Sequence, residues 1–547
     1  MTDDLAAARS TVDAAAGVVD RAARLLAERS ADGAKISVAK LDEHQVLAYD
    51  LAHAAAAVEA GKVMLDYAEL GDVERGLAFG FIADTIVDLA TKLVGRSSEW
   101  GSDGMALAGA ADFVARYRSA EFLAGLGEQC AKHGTGPNHL DDDFELVGDT
   151  FRRFAEEVVR PHAEHVHRDN GDVPEDIIAG LAEIGGFGLS VPEEYGGFAT
   201  GGESDYMGMV VSTEELSRGS LGIGGSLITR PEILTRAVVA GGTDAQKERW
   251  LPRIATGELM AGIMVTEPDF GSDVAGVKVA ATPTEGGYLI NGVKTWCTFA
   301  GRATILLVLA RTNPDRSQGH RGLSVFLVEK PQADGHHFAF SQDGGGTLEG
   351  RAIDTIGYRG MHSFEVAFDN WFVPAENLVG EAGGLGRGFY LQMAGFENGR
   401  LQTAARAVGL MQAAFEAGID YAQNRNVFGQ SVFDYQLSKV KVARMAFLIQ
   451  AGRQFSYAVA KLMAAGEGTL EASMVKAYVC RAAEWVTREA MQLHGGMGYA
   501  EEFPVSRYFV DARVLSIFEG ADETLCLRVI ARRLAENALA AEPTPQR

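Results

Sequence analysis

Several things are scarce in this chain, and each scarcity excludes something. Only 4 of the 547 residues are cysteine, at Cys130, Cys297, Cys480 and Cys526. No two form a C-x-x-C pair, which excludes a zinc ribbon or a thioredoxin-type redox site. Scattered thiols in a long chain read as reduced, so the cytoplasm is the expected location. Basic charge is also short: 50 Lys and Arg stand against 74 Asp and Glu, a formal net charge of −24. Such a chain is repelled by phosphate backbones and anionic bilayers unless a basic stripe compensates. The densest cationic stretch is only Arg528, Arg532 and Arg533, so neither nucleic acid nor membrane is an expected partner. The longest apolar runs, such as Ile305 to Ala310, are too short to cross a bilayer. The first residues, Met1 to Ser10, are acidic and lack the basic-then-apolar order of a secretory signal.

What is present is the ordinary balance of a globular protein, 47% apolar and 23% charged, with length for several domains. Glycine is the exception. There are 65, where usage of about 7% would give roughly 38. Residues 1–138 are alanine-rich and read as a helical extension. Leu47, Leu51, Ala54, Ala55 and Val58 fall on one helical face, and the breakers Gly134 to Asn138 mark a boundary. Residues 139–257 read as a second helical domain. From 258 to 375 the texture is β: Ile305 to Ala310, Leu323 to Val328 and Phe364 to Phe368 are strand candidates. Asn291-Gly292, between Tyr288–Ile290 and Val293–Phe299, predicts a hairpin turn. Residues 376–547 are helical again, with Val442, Met445, Ala446 and Ile449 on one face. The stretch from Gln45 through Gly61-Lys62 also lays without a gap over Gln436 through Gly452-Arg453, an echo that alanine-rich helices also produce by chance.

Four stretches carry candidate chemistry. In Val265-Thr266-Glu267-Pro268-Asp269-Phe270-Gly271-Ser272-Asp273, hydroxyls and a glycine offer donors to an anionic ligand, or form a capped turn. In Lys294-Thr295-Trp296-Cys297-Thr298, strand alternation sets Trp296 and Thr298 on one side. That pair suits a flat heteroaromatic group needing one donor, or is a core tryptophan beside a strand threonine. Gln492 to Tyr499 lets backbone approach a ligand through its glycines, or caps a helix. In Ser516-Ile517-Phe518-Glu519-Gly520-Ala521, a carboxylate among apolar and small neighbours gains basicity by desolvation, or is a first-turn helix glutamate. Two further patterns carry little. Gly383 to Gly388 lacks G-x-G-x-x-G spacing and a βαβ context. His162, His165 and His167 do not share one helical face, so no metal site is expected.

Taken in this order and separation, the four stretches resemble the acyl-CoA dehydrogenase family over about residues 143–540. Val191 to Gly197, Gln246 to Pro252 and Arg425-Asn426-Val427-Phe428-Gly429 add to the resemblance. It implies an α+β fold: an N-terminal helical domain, a central β domain and a C-terminal four-helix domain, here with an extra helical extension. It implies FAD as cofactor. Val265, Thr266, Gly271 and Ser272 would then line the flavin and pyrophosphate. Trp296 would flank the isoalloxazine ring, and Thr298 would bond its reactive edge. Arg425, Phe428, Gln492 and Gly496 would hold the FAD of a neighbouring subunit. Ser272, Arg400 and Gly520 would meet substrate, and Glu519 would be the catalytic base that removes the α-proton of an acyl thioester while a hydride leaves the β-carbon.

The resemblance further implies electron-transfer flavoprotein as acceptor and a homo-oligomer. The extension, packed on the C-terminal bundle, would make that a dimer. The extension and the Ser226–Glu232 segment point to a short branched acyl-CoA bearing a free carboxylate, with Arg230 and Arg236 as candidate partners for that charge. Met264 and Phe270 depart from the smaller residues usual in the first motif and are expected to reshape the wall near the substrate. Gly399 stands where some relatives carry the base, which leaves Glu519. An oxidase passing electrons to oxygen, and a scaffold that keeps the fold without catalysis, are the rival readings; the intact Glu519 argues against the second.

Overall fold

The computed structural model describes residues 2–541. Four long helices open the chain: α1 (Thr2–Ser30), α2 (Gln45–Tyr67), α3 (Asp72–Leu93) and α4 (Ala120–His133). Next come α5 (Asp142–Phe154), α6 (Glu203–Gly219), α7 (Thr229–Gly241) and α8 (Asp244–Ala255), with shorter helices between α5 and α6. Eight strands follow. They are β1 (Ala261–Met264), β2 (Ala280–Thr284), β3 (Gly287–Thr298), β4 (Ile305–Arg311), β5 (Leu323–Glu329), β6 (His337–Ser341), β7 (Thr347–Ile353) and β8 (Ser363–Pro374). The chain then runs through α9 (Gly388–Asn424), α10 (Gln436–Ala464), α11 (Thr469–Leu493), α12 (Pro504–Leu515) and α13 (Ala531–Ala541). Two compact units result. One joins the residues up to Asp141 to those from Thr403 onward, and the other is Asp142–Gln402, so the division falls inside α9.

In the second of these units the strands form one sheet, in the order β1-β4-β2-β3-β8-β7-β6, with β5 paired to β4. The uninterrupted apolar run of β4 follows from burial on both faces. Ile305, Leu307 and Leu309 join Trp250, Leu251 and Ile254 of α8, whereas Leu306, Val308 and Ala310 join Phe326, Phe364 and Val366. Each fully buried aliphatic side chain contributes about 1.5–3 kcal/mol. Helix α8 starts with a capping box: Gln246 N donates to Thr243 Oγ1 at 3.3 Å and Thr243 N to Gln246 Oε1 at 3.1 Å. The Gln246 amide also donates to the carbonyls of Glu376 and Leu378, both at 2.7 Å, tying the segment after β8 to the helix.

Asn291-Gly292 is not a hairpin turn. Strand β3 runs straight through it, and the turn lies one step earlier, between β2 and β3, where Gly286 has φ 75°. The pair instead sits opposite a bulge in β8, between Phe368 and Trp371. Asn291 Oδ1 accepts the free N–H of Asn370 at 2.9 Å. Gly292 has φ 128°, and a Cβ there would come within 2.9 Å of Val279 Cγ2. A bulge and a close approach use the same two residue types as a turn.

The other unit is helical, and in it the N-terminal extension packs on the C-terminal helices. Helices α2 and α3 lie against α10, α2 also against α11, α4 against α10, and α1 against α2 and α13. The alanine richness has its reason here. Ala52, Ala54 to Ala57, Ala60 and Gly61 of α2 are all buried, and a Cβ on Gly127 of α4 would fall 2.1 Å from Lys439 O, so backbone meets backbone. The two echoing stretches both begin a helix at their matching glutamine, Gln45 and Gln436. The breaker segment after α4 is held fast. Pro137 O accepts from Tyr67 Oη at 2.9 Å and from Gln450 Nε2 at 2.8 Å. Thr135 Oγ1 donates to Gln412 Oε1 at 2.9 Å and accepts from Arg453 Nη1 at 3.1 Å. Among the described residues no helix is long and apolar enough to cross a membrane.

Candidate active site

In the sheet-bearing unit the first two motifs come together through one buried ion pair. Lys294, fully buried on β3, donates to Glu267 Oε1 at 2.8 Å and to Val265 O at 2.9 Å. Glu267 in turn accepts the N–H groups of Lys278 at 2.6 Å and Val279 at 2.8 Å. Burial pushes the Lys294 amine below its ordinary pKa, and the adjoining Glu267 charge works against that shift. Thr295 N donates to Thr266 O at 2.9 Å, so Val265 to Glu267 lie alongside β3. Glu267 and Phe270 exchange backbone hydrogen bonds at 3.0 Å, a tight turn that brings Gly271 back beside the Thr266 methyl. Val265 is buried, Thr266 half-buried, and Gly271 and Ser272 exposed.

Alternation does not order Trp296 and Thr298. Trp296 has φ 57° and lies in a bulge, since Cys297 pairs with Phe364 but Lys294 with Val366. A left-handed residue breaks the period of two. Trp296 is 55% exposed, while Thr298 is buried and shares a hydrogen bond of 3.0 Å with Ser363 Oγ. Met264 is fully buried in the sheet's own apolar cluster, and Phe270 covers Gly276 under the Lys278 ammonium. The larger side chains of the first motif are thus absorbed by packing within this domain.

In the helical unit the Arg425 and Gln492 segments also meet. Phe428 and Gly429, at φ 50° and 90°, form the tip of a two-stranded hairpin, and Phe428 is 99% exposed. Arg425 is exposed, with its N–H on Tyr421 O. The Tyr421 ring stacks on His494 at 4.2 Å. His494 closes α11 between Gln492 and Gly496, both exposed, and its Nδ1 faces Ala490 O at 2.8 Å. Burial lowers the His494 pKa.

Glu519 lies in neither a strand nor a helical first turn. It is half-buried in the loop after α12, at φ 53°, and is followed by Gly520 at φ 96°. A left-handed glutamate is uncommon, and such strain concentrates at functional sites. The loop is held from several sides. Asp522 N donates to Ser516 O at 3.0 Å, Ser516 Oγ donates to Glu484 Oε1 at 2.5 Å, and the buried Lys476 donates to Gly520 O at 2.6 Å. The Arg406 guanidinium lies 4.6 Å over the Phe518 ring.

Of the candidate cationic groups, Arg400 is half-buried on α9 in the sheet-bearing unit. Arg236 is engaged by Glu232, at 2.5 Å, and by the Tyr206 hydroxyl and ring. Arg230 is 5% exposed, with Nη2 3.5 Å from the Tyr358 hydroxyl. His162 and His165 face Asp176 and Asp169. Sequence reasoning assigned no role to Lys294, Glu267, Ser363 or His494. The first, second and fourth stood inside quoted motifs, but nothing local signals Ser363, 65 positions from its partner.

Comparison with known proteins agrees with this architecture. The chain matches the acyl-CoA dehydrogenase N-terminal domain over residues 141–258, the middle domain over 262–371 and the C-terminal domain over 386–535. The (2S)-methylsuccinyl-CoA dehydrogenase of Cereibacter sphaeroides is 38% identical over 533 residues, covering 93% of this chain and 94% of that one. The mitochondrial isovaleryl-CoA dehydrogenase of Solanum tuberosum is 34% identical over 391 residues, 70% of this chain and 89% of the relative. The crystal structure of acyl-CoA dehydrogenase from Geobacillus kaustophilus superposes with a TM-score of 0.64 at 33% identity, over 72% of this chain and 99% of that one. The chain belongs to the acyl-CoA dehydrogenase family: it is an FAD-dependent oxidoreductase that acts on the CH–CH bond of acyl-CoA. Its residues suit a flavin. An indole is held open to solvent at a left-handed bulge two residues from a buried hydroxyl, and a glycine-bearing turn with exposed Gly271 and Ser272 offers backbone donors nearby in the same motif pair.

Proposed function

We propose that the protein oxidises (2S)-methylsuccinyl-CoA to mesaconyl-CoA in the ethylmalonyl-CoA pathway and passes the electrons to electron-transfer flavoprotein. One observation carries the choice of substrate: the likeness to (2S)-methylsuccinyl-CoA dehydrogenase spans 93% of the chain, where the isovaleryl-CoA relative matches 70%. Glu519 is the base that takes the α-proton. Its left-handed backbone supports that role, because strain of this kind persists where a side chain must be aimed. Bound FAD supplies the hydride acceptor at the β-carbon. Thr298 donates a hydrogen bond to the flavin edge, Trp296 flanks the ring, and Val265, Thr266, Gly271 and Ser272 line the rest of its site. Arg425, Phe428, Gln492 and Gly496 serve the FAD of a second copy, a role that the fully exposed Phe428 suits. Ser272, Arg400 and Gly520 are the candidate substrate-binding residues.

Arg230 and Arg236 are the candidates for the substrate carboxylate; Arg236 lies against Glu232, and Arg230 reaches the Tyr358 hydroxyl. The assembly is a homodimer in the cytoplasm, with α2 and α3 covering α10 from within the same chain. The test is an anaerobic titration of the purified protein, following oxidised flavin absorption. Prompt bleaching by (2S)-methylsuccinyl-CoA, and none by succinyl-CoA or butyryl-CoA, is the expected result. Bleaching by butyryl-CoA instead would discard the substrate and keep the chemistry.

A further inference from the structure

Tyr49 and His53 stand one turn apart on α2, in the part of the chain that precedes the family-matched residues 141–535. Both reach the same carboxylate. Tyr49 Oη donates to Asp522 Oδ2 at 2.5 Å, and His53 Nε2 lies 3.1 Å from that oxygen. Cys526 Sγ, one turn beyond Asp522, is 3.4 Å from the same nitrogen. The Tyr49 and His53 rings meet edge-on at 4.8 Å. His53, Asp522 and Cys526 are all buried.

Burial alone would raise the Asp522 carboxyl. The hydrogen bond and charge of His53, the hydrogen bond from Tyr49 and the charge of Arg481 more than reverse this and hold it below the usual range. Burial pushes His53 down, against the pull of the Asp522 charge, and pushes the Cys526 thiol up.

Asp522 also closes the turn that carries Glu519. Its N–H donates to Ser516 O, and Lys476 holds the Gly520 carbonyl between them. A non-glycine residue at positive φ, as Glu519 is, persists where the flanking chain is pinned. We propose that Tyr49 and His53 are positioning residues for Glu519: the N-terminal extension, acting through Asp522, fixes the backbone turn that aims the carboxylate. The inference rests on Glu519 being the base.

The experiment uses the full-length, FAD-loaded enzyme with Tyr49→Phe, His53→Leu and His53→Gln. Three quantities are read: the anaerobic bleaching rate at saturating acyl-CoA, KM, and amide hydrogen exchange across residues 516–526. Tyr49→Phe is expected to slow bleaching about tenfold, the worth of one hydrogen bond to a charged group. KM stays within about twofold, and amides 517–521 exchange faster. His53→Leu behaves alike, and His53→Gln, which keeps an N–H donor, restores most of the rate. Unchanged bleaching and unchanged loop exchange in Tyr49→Phe overturn the proposal, even where His53→Leu fails to fold. Slower bleaching with unchanged loop exchange overturns it too. Glu519→Gln runs alongside. A full bleaching rate in that variant removes Glu519 as the base, while the exchange data still report whether Tyr49 and His53 hold the turn.

Discussion

The residues around Trp296 and those around Glu519 are held in different ways. Val265 to Thr298 are organised by strand pairing and one buried ion pair, with partners from Val265 to Val279 and from Lys294 on. The Glu519 turn is held by side chains from Glu484, Lys476, Tyr49 and His53, the last two more than 460 positions away through Asp522. A buried ion pair is a single point of failure, because either partner left alone is an uncompensated charge. A turn held by several separate hydrogen bonds degrades one step at a time. The contrast shows how one chain orders one segment by local pairing and holds a left-handed glutamate by contacts with distant ones.

The sharpest test of the contrast is Glu519→Gln. It is expected to lower turnover by about 10²–10⁴-fold, the usual worth of a general base, while the visible flavin spectrum and thermal midpoint stay near wild type. Steady-state turnover and an absorption spectrum check both halves. Lys294→Met comes next. It leaves Glu267 buried without its cation, so a loss of about 3–5 kcal/mol is expected by denaturant unfolding, with FAD lost on gel filtration. Should Lys294→Met keep its FAD and its stability, the single-point account of the sheet region fails.

Ser363→Ala is a milder break in the same region. It removes one partner of the Thr298 hydroxyl and is expected to cost about 0.5–1.5 kcal/mol, visible as a lowered denaturant midpoint with FAD retained. The smallest effect is a pH dependence in the helical region. Burial holds His53 and His494 below the ordinary histidine value. The unfolded chain therefore takes up protons near pH 6.5 that the folded chain resists, and stability is full above that pH and falls as the pH drops toward the folded values. The thermal midpoint should be lower at pH 5.5 than at 7.5, and His494→Phe should narrow that gap.

Much of this was legible in advance. Ile305 to Ala310 and Leu323 to Val328 were readable as strands from short apolar runs, and Leu47, Leu51, Ala54, Ala55 and Val58 as one helical face from their periodicity. Asn291-Gly292 misled, because a bulge facing Asn370 uses the same residues as a hairpin turn. Trp296 misled for a related reason: alternation assumes a regular strand, and the bulge opposite Glu365 interrupts it. Ser363, Tyr49, His53 and Asp522 left no signal, since each acquires meaning only from a partner far along the chain.

By itself, then, the sequence determined the order of helical and β regions and carried the motifs by which the family is matched. These depend on composition and on spacing within one element. The packing of the extension on the C-terminal helices was expected from the sequence, but tertiary structure alone decided that Lys294 and Glu267 tie two motifs together and that Asp522 joins α2 to the Glu519 turn. Those contacts are set when distant segments share one core, and no local pattern encodes which buried donor meets which acceptor.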